Sequence, residues 1–579
     1  MNGWVLTDPA SKRFALASRA NVGEVFPDPI SPLNATAGFL HNLEPGWRDA
    51  FVKCGVWDHD LYDCEVPHNP LISFGGYLYL NMSLMRLFGV RVPGFTPEAV
   101  DAQYFGDMPG IPTYASEARP GDKNAEYSAK AGAWLMSEVL GASNLDDLDL
   151  ERAEVRSVVA ARPDLREAST SELISRVTGF DALFRRLWCR HIEVSLKAGV
   201  GLGVVAQVAA AIGQPQLALE LVSGIGDVDS AGASRDMWPL GRQVAASNHL
   251  GALFDAGIEA LPQRLASDRH PDAVSFRKHF SAFLENWGFR GPNEWELRCD
   301  TWGTRPEIAL SAIERLRSAT EGDAPGTGHT ERISQRERAT LTVRAALTDN
   351  AEALASFEAG LRAAHLFSRG RERTRMTAGL LVHEQRLAAR ELGRRAVVAG
   401  AIDRPELAFM LVARELEDFA ANPGKYADTL REREQKYLQL FTVVPPFVVV
   451  GDPPPLELWE KRSGDSLASI DVGETVTAVA GSPGKVTGRA CVILDPGQAE
   501  KLEPGDILIA PITDPSWTPL FLAVGAVVCN VGAPFSHAAI VSREINIPCV
   551  LSVKDATRRI PDGAMIEVDG NAGTIKRLS

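Results

Sequence analysis

The segment 531–550, VGAPFSHAAIVSREINIPCV, places His537 behind a Gly-Ala-Pro turn and directly after a serine. The AVVCNVG before it reads as a buried strand, and Gly532-Ala533-Pro534 forces a turn. Ser536 is a natural N-cap, because its hydroxyl can accept from a free N–H of the first helical turn. HAAIVSREI continues as a helix with Ile540, Val541 and Ile545 roughly on one face, so His537 takes the first helical position. Free backbone N–H groups and the helix dipole favour an anion there. The same positive end disfavours an imidazolium and leaves a nucleophilic ring. An imidazole beside a preformed phosphate cradle suits a phosphohistidine. Its nitrogen attacks a phosphoryl group, and the N–H donors hold the product oxygens. The alternative is a histidine that only helps to cap the helix.

The rest of the chain must position that ring. With 579 residues there is room for several domains. Apolar residues make up 45% and charged residues 23%, the balance of a soluble globular protein. Lys plus Arg total 60 against 74 Asp plus Glu, a formal net charge of -14, which argues against a broad nucleic-acid surface. The seven cysteines form no C-x-x-C pair, so neither a disulfide framework nor a zinc site is expected, and a reducing cytoplasm fits. The N-terminus lacks the apolar core of a signal peptide. The most apolar run, residues 198–213, contains Gln207 and is short against the roughly 20 residues of a membrane span, so a buried helix is expected and no membrane partner.

Residues 100–440 are mostly helical by pattern, and the stretch from Thr330 to Gly400 is rich in Ala, Leu, Glu and Arg. The first hundred residues are loop-rich, with a strand expected at GGYLYLN. Residues 443–470 contain VVPPF and GDPPP, whose prolines cannot continue a helix, and read as a linker. From 471 to 579 short β-branched runs alternate with turns and two helical pieces, SWTPLFLAVG and SHAAIVSREIN. The expected architecture is an α-rich domain over 1–442, the linker 443–470, and a C-terminal α/β domain over 471–579. The GVGLG at 199–203 lies in a helical apolar run with no βαβ pattern after it, and reads as close packing.

The segment around His537 resembles the phosphohistidine signature of the phosphoenolpyruvate-utilising enzymes, which include phosphoenolpyruvate synthase, pyruvate phosphate dikinase and rifampin phosphotransferase. Upstream, GDILIAPITDPSWTPLF resembles the strand and loop of rifampin phosphotransferase; downstream, IPDGAMIEVDGNAGTIKRL matches the family's ending. The resemblance implies a swivelling β/β/α domain that carries a phosphoryl group between two distant sites. It makes Ser536, Thr513 and Asp514 candidates for contact with the phosphorylated ring. Three more segments resemble the acceptor-binding part of rifampin phosphotransferase: NVGEVFPDPISPLNAT (21–36), GFRGPNEWELRCDTWGTRP (288–306), and SRGRERTRM with the helix after it. In the last, Arg371 and Glu372 match, and Arg375 stands at a lysine position. The resemblance gives the Arg371 and Arg375 positions a part in phosphoryl transfer. Two cations four residues apart on one helical face suit a clamp on phosphoryl oxygens; the alternative is a solvated charged helix. Arg290 and Glu294 are candidates for orienting acceptor or phosphoryl group, or else form a turn anchored by a buried ion pair. His383, eight residues beyond Arg375, is a candidate base for the acceptor's hydroxyl proton. His365 and His68 have thinner support.

Relatives of this kind begin with an ATP-grasp domain, for which there is no room before Asn21, and no G-x-x-x-x-G-K-[ST] occurs. ATP is therefore expected on a separate ATP-grasp subunit, with Mg²⁺ mainly at that nucleotide site. The helical middle offers no (β/α)8 barrel for pyruvate. The division resembles the histidine-bearing subunit of two-component phenylphosphate synthase and cresol-phosphorylating systems. It implies a small aromatic hydroxyl acceptor such as phenol or 4-cresol. The alternatives are a larger hydroxylated compound such as an antibiotic, and a non-enzymatic phosphohistidine carrier or sensor.

Overall fold

The computed structural model describes residues 4, 7–59, 69–105, 108, 110–226, 229–319, 324, 329–462, 468–494, 501–513, 517–521, 523–532 and 536–579. The chain divides into two compact units. The first comprises Met1–Gly201, Trp295–Arg298 and Leu366–Gly464; the second comprises Leu202–Glu294, Cys299–His365 and Asp465–Ser579. Both are built from discontinuous pieces, so the second holds helices as well as the C-terminal sheet.

In the first unit β1 (Leu16–Ser18), β2 (Leu71–Phe74), β3 (Tyr77–Asn81) and β5 (Val448–Val450) form a sheet of order β2-β3-β1-β5, antiparallel throughout. β4 (Val443–Val444) pairs with β6 (Glu460–Lys461). The expected strand at GGYLYLN is β3. The proline-rich 443–470 stretch is thus not all connection: β5 donates an edge to a sheet whose other strands lie in the first hundred residues. Its Val449 packs with Ala17, Ile72, Tyr77 and Trp459. Such long-range pairing leaves no local sequence signal beyond three consecutive valines.

Two long helices carry most of the helical scaffold, Asp181–Ala211 and Ala351–Val398. In the first unit their contacts run antiparallel: His191 meets Thr374, Val194 lies where a Cβ on Gly370 would come within 3.1 Å, and Lys197 lies over the Phe367 ring. Gly370 matters because a side chain there would also strike Leu148 and Leu145 at 3.2 and 3.3 Å. In the second unit Val205 and Ala209 join Val343, Phe357 and Leu361 in an apolar cluster.

The C-terminal part of the second unit is an eight-stranded sheet. Its strands are β7 (Thr475–Thr477), β8 (Val479–Ser482), β9 (Lys485–Val492), β10 (Ile507–Ala510), β11 (Ala526–Cys529), β12 (Cys549–Leu551), β13 (Met565–Asp569) and β14 (Thr574–Arg577). The order is β7-β14-β13-β9-β10-β11-β12-β8, with β9 to β12 parallel and the remaining pairs antiparallel. Strict alternation feeds two cores. Leu508, Ala510, Val527 and Cys529 face the helices of Trp517, Phe521, Ala539 and Val541. Ile507, Ile509, Ala526 and Val528 face Ile566, Val568, Ile575 and Ile560. A parallel strand covered on both faces needs such an unbroken apolar run. The expected α/β C-terminal region and helix-rich remainder are both present. No disulfide links the six described cysteines, Cys54, Cys189, Cys299, Cys491, Cys529 and Cys549, to one another.

Candidate active site

His537 opens the nine-residue helix His537–Ile545 at the C-terminal side of β11. Ser536 is its N-cap with extended backbone, and its Oγ accepts from the Ala539 N–H at 3.3 Å. Asn546, in the left-handed conformation, ends the helix. The cap and first position match the reading of the sequence. Ala538, Ala539 and Val541 are buried, while Ile540 lies outside the core face.

The ring of His537 is only 4% exposed. Its Nε2 lies 3.0 Å from the Thr518 hydroxyl, a hydrogen bond. Its Nδ1 lies 3.5 Å from the Thr513 hydroxyl, at the limit of one. Phe521 packs 6.0 Å away, centroid to centroid. Thr518 begins the short helix Thr518–Phe521. It is the partner that sequence reasoning missed, although it stands in the TDPSWTPLF motif. Asp514 lies outside the described residues. Within the same unit this face meets helical elements: both short helices pack against the Asp229–Ala246 helix. Glu544 accepts from the Ile225 N–H at 3.2 Å. Arg332 donates to the Pro483 carbonyl at 3.2 Å.

In the first unit three separated motif segments meet at Glu296. Its carboxylate accepts from the Ser31 hydroxyl at 2.5 Å, the Ser31 N–H at 3.1 Å and the Asn34 amide at 3.0 Å. Its carbonyl accepts from Arg386 at 3.1 Å. Asn34 also donates to the Trp295 carbonyl at 3.0 Å. Trp295 in turn meets Trp188 edge-on with centroids 5.2 Å apart, and Trp188 lies 5.0 Å from the His191 ring. Both indoles are buried, and neither indole N–H has a hydrogen-bond partner among the described residues.

Arg371 and Arg375 lie on the Ala351–Val398 helix beside this aromatic wall. Arg371 is half-buried and Arg375 buried, while Glu372 and Thr374 are buried between them. The solvated-helix alternative is therefore not the environment of Arg375. His191 sits opposite, with Nδ1 3.0 Å from the Thr374 hydroxyl. Burial first, then the charges of Arg371 and Arg375, push its imidazole down to about 3. Burial likewise pushes the half-buried Tyr104 phenol up to about 12, against the pull of Arg371. The structure thus gathers Tyr104, Trp188, His191, Trp295, Arg371, Thr374 and Arg375. Of these, only the two arginines were identified from sequence.

The other candidates fall elsewhere. His383 is buried with its Nδ1 3.4 Å from Arg386, and burial, then Arg386, Arg162 and Arg390, hold it well below its ordinary range. Its neighbour Glu384 is bound by Arg162 at 2.7 Å and Arg176 at 2.6 Å. Arg290 and Glu294, in the second unit, form a buried ion pair at 3.0 Å, the anchoring role set out above as their alternative. His365 bonds the Leu221 carbonyl at 2.7 Å. His68 lies outside the described residues.

Two histidines kept neutral by the fold have a thermodynamic consequence. In the unfolded chain each takes a proton near pH 6.5; in the fold neither does. The unfolded state then binds more protons, so stability falls as pH drops below about 6.5, and His191's share keeps growing down to about pH 3. Urea denaturation at pH 7 and pH 5 checks this. The His191→Asn chain is expected to lose less stability over that interval than the native chain. Equal losses would remove His191 from the acid response.

Comparison with known proteins follows this geometry. Residues 502–573 match the family described as PEP-utilising enzyme, mobile domain. Residues 190–379 match the rifampicin phosphotransferase fourth domain. The chain is 27% identical to an uncharacterized protein of Mycobacterium tuberculosis (strain ATCC 25618 / H37Rv), over 98% of this chain and 62% of that protein. It is 26% identical to the prodigiosin synthesizing transferase PigC of Serratia marcescens, over 99% of this chain and 64% of the other. It is 30% identical to rifampicin phosphotransferase of Streptomyces sviceus, over 53% of this chain and 35% of the other. The chain spans less than two thirds of the length of these relatives. His537 lies in the first matched segment, and His191, Arg371 and Arg375 lie in the second. The chain therefore carries one segment that matches the PEP-utilising enzyme mobile domain and one that matches the rifampicin phosphotransferase fourth domain, consistent with the PEP-utilising family.

Proposed function

We propose that this chain is the phosphohistidine-carrying, acceptor-binding part of an ATP-dependent phosphotransferase. The observation that carries the reading is a buried histidine at the N-terminus of a Ser-capped helix inside the matched mobile domain. Nucleotide chemistry belongs to a separate ATP-grasp protein with its Mg²⁺. There the β-phosphoryl group of ATP passes to a ring nitrogen of His537, the γ-phosphoryl group passes to water, and AMP and phosphate leave. Breaking the Thr518 hydrogen bond frees Nε2 for that attack. The charged mobile domain then delivers its phosphoryl group to the acceptor site of the first unit. Arg371 and Arg375 hold the phosphoryl oxygens as the acceptor oxygen forms its bond to phosphorus and the N–P bond breaks, with the electron pair returning to the His537 ring.

The acceptor is a hydroxyl on a small aromatic ring, of the phenol or 4-cresol kind. The Trp188 and Trp295 wall beside the arginines supports this, since aromatic pairs favour edge and offset contacts with a further ring. A second reading, a larger hydroxylated acceptor, is favoured by the rifampicin phosphotransferase relatives. The test is to mix the chain with its ATP-grasp partner, ATP and a panel of acceptors, and to follow AMP and organic phosphate. Phenol- or cresol-dependent AMP release supports the small acceptor. Release only with polycyclic or antibiotic hydroxyls selects the second reading. AMP release with no organic phosphate from any acceptor makes the chain a carrier or sensor.

A further inference from the structure

Phosphoryl transfer to a hydroxyl sheds a proton, and the arginine pair cannot take it. We propose that His191 is the base that receives the acceptor's hydroxyl proton, at its Nε2 atom. This rests on the phosphotransferase reading above.

The first argument is the direction of one hydrogen bond. The Thr374 hydroxyl lies 3.0 Å from the Gly370 carbonyl and 3.1 Å from the Arg371 carbonyl. Carbonyls only accept, and we assign the single hydroxyl proton to one of them. Toward His191 Nδ1, 3.0 Å away, the same oxygen must accept. On that assignment Nδ1 carries the ring proton. A neutral imidazole with its proton on Nδ1 has its lone pair on Nε2. Thr374 thus sets the tautomer that a base needs, from a position between the two clamp residues.

The second argument is placement. His191 is half-buried between the buried Trp188 indole and the arginine-bearing helix. The N–H groups of Trp188, beside the ring, and of Trp295, against Trp188, are buried donors without a hydrogen-bond partner among the described residues. An aromatic hydroxyl bound against this wall would satisfy such a donor with its oxygen while passing its proton to Nε2. The close approach of the two long helices at Gly370 and Val194 fixes His191 opposite Thr374.

The third argument is electrostatic, and it couples the two halves of the reaction. The charged groups facing the ring are Arg371 and Arg375, and Tyr104 faces Arg371 in turn. With the clamp empty, burial first and then these charges keep the imidazole unprotonated. A phosphoryl dianion in the clamp compensates those charges, so the ring is more basic when there is a phosphoryl group to transfer. The balance is complete: the O–H bond of the acceptor breaks with its proton going to His191, and the new O–P bond replaces the N–P bond of phospho-His537. The imidazolium returns its proton to water once the product leaves.

The test compares the native chain with His191→Gln and His191→Asn. The asparagine amide can still donate to Thr374 but offers no base. Each chain is charged on His537 with ATP and the ATP-grasp partner, and transfer is followed to 4-cresol and to 4-nitrophenol, which is already ionised at neutral pH. Both variants are expected to take up the phosphoryl label normally and to slow transfer to 4-cresol by about 10²-fold or more. Transfer to 4-nitrophenol is expected to change only a few-fold, because no proton has to be removed. Equal slowing with both acceptors, or no slowing, overturns the assignment of His191. A native chain that is labelled but transfers to neither acceptor overturns the small-acceptor reading beneath it, and the base with it; that failure shows in the native chain.

Discussion

Replacing His537 by alanine is expected to abolish both phosphoryl uptake and acceptor phosphorylation while leaving the fold intact. The His537 ring hydrogen-bonds the Thr518 hydroxyl and packs against Phe521. The helix it opens is capped by Ser536 and packed through Ala538, Ala539 and Val541, none of which depends on the imidazole. Losing it therefore costs the stability of one buried hydrogen bond, about 1–3 kcal/mol once the Thr518 hydroxyl is left unpaired. Activity, by contrast, loses its covalent intermediate, and no neighbouring nucleophile substitutes. Among the described residues, the hydroxyls of Thr513 and Thr518 have His537 as the base beside them. Acceptor-dependent AMP release by the reconstituted pair, read with circular dichroism as the control for folding, checks this. Turnover retained by the folded variant would contradict it.

The second large effect belongs to the clamp. Arg371→Gln and Arg375→Gln are each expected to keep the phosphohistidine label but to slow transfer to the acceptor by about 10²–10³-fold, the loss typical of one preorganised donor to a developing charge. The two should not be additive if, as proposed, both arginines hold the same phosphoryl group. Arg375→Lys is expected to retain transfer within about 10-fold, because a cation remains although the planar fork is lost. Arg371→Gln also removes a cation that holds the His191 proton off, so the pH dependence of transfer should shift upward. Single-turnover transfer from the labelled chain measures all of these. Loss of labelling in place of loss of transfer would move the arginines out of the acceptor site.

How much of this could be read from the residues depends on how local the information is. The Ser536 cap, the His537 helix and the apolar strands β10 and β11 are local: a hydroxyl before a helix and a run of alternating faces identify themselves. The acceptor site is not local. His191 and Thr374 are 183 residues apart, and Asn34 reaches Trp295 across 261. On its own helix His191 is one more residue in an amphipathic pattern. Its chemistry comes from Thr374 and from two arginines on another element. The same reason explains His383. Eight residues of helix suggest a shared face with Arg375, but tertiary packing gives it Arg386 and Arg162 as neighbours. It also explains Glu296, which lies two residues from the candidate Glu294 and ties three motif segments together. Motif matching found the segment, and only packing distinguishes its two carboxylates: Glu294 pairs with Arg290, while Glu296 binds Ser31 and Asn34.

A pulse-chase on the phosphoryl group puts the central claim to its most direct test. The chain is incubated with its ATP-grasp partner and ATP labelled in the β-phosphoryl group, freed of nucleotide, and digested. The account predicts an acid-labile label on the peptide containing His537, and a chase with acceptor that removes it in step with the appearance of an organic phosphate. A label on another residue, or acceptor phosphate formed while the His537 label stays in place, would contradict it.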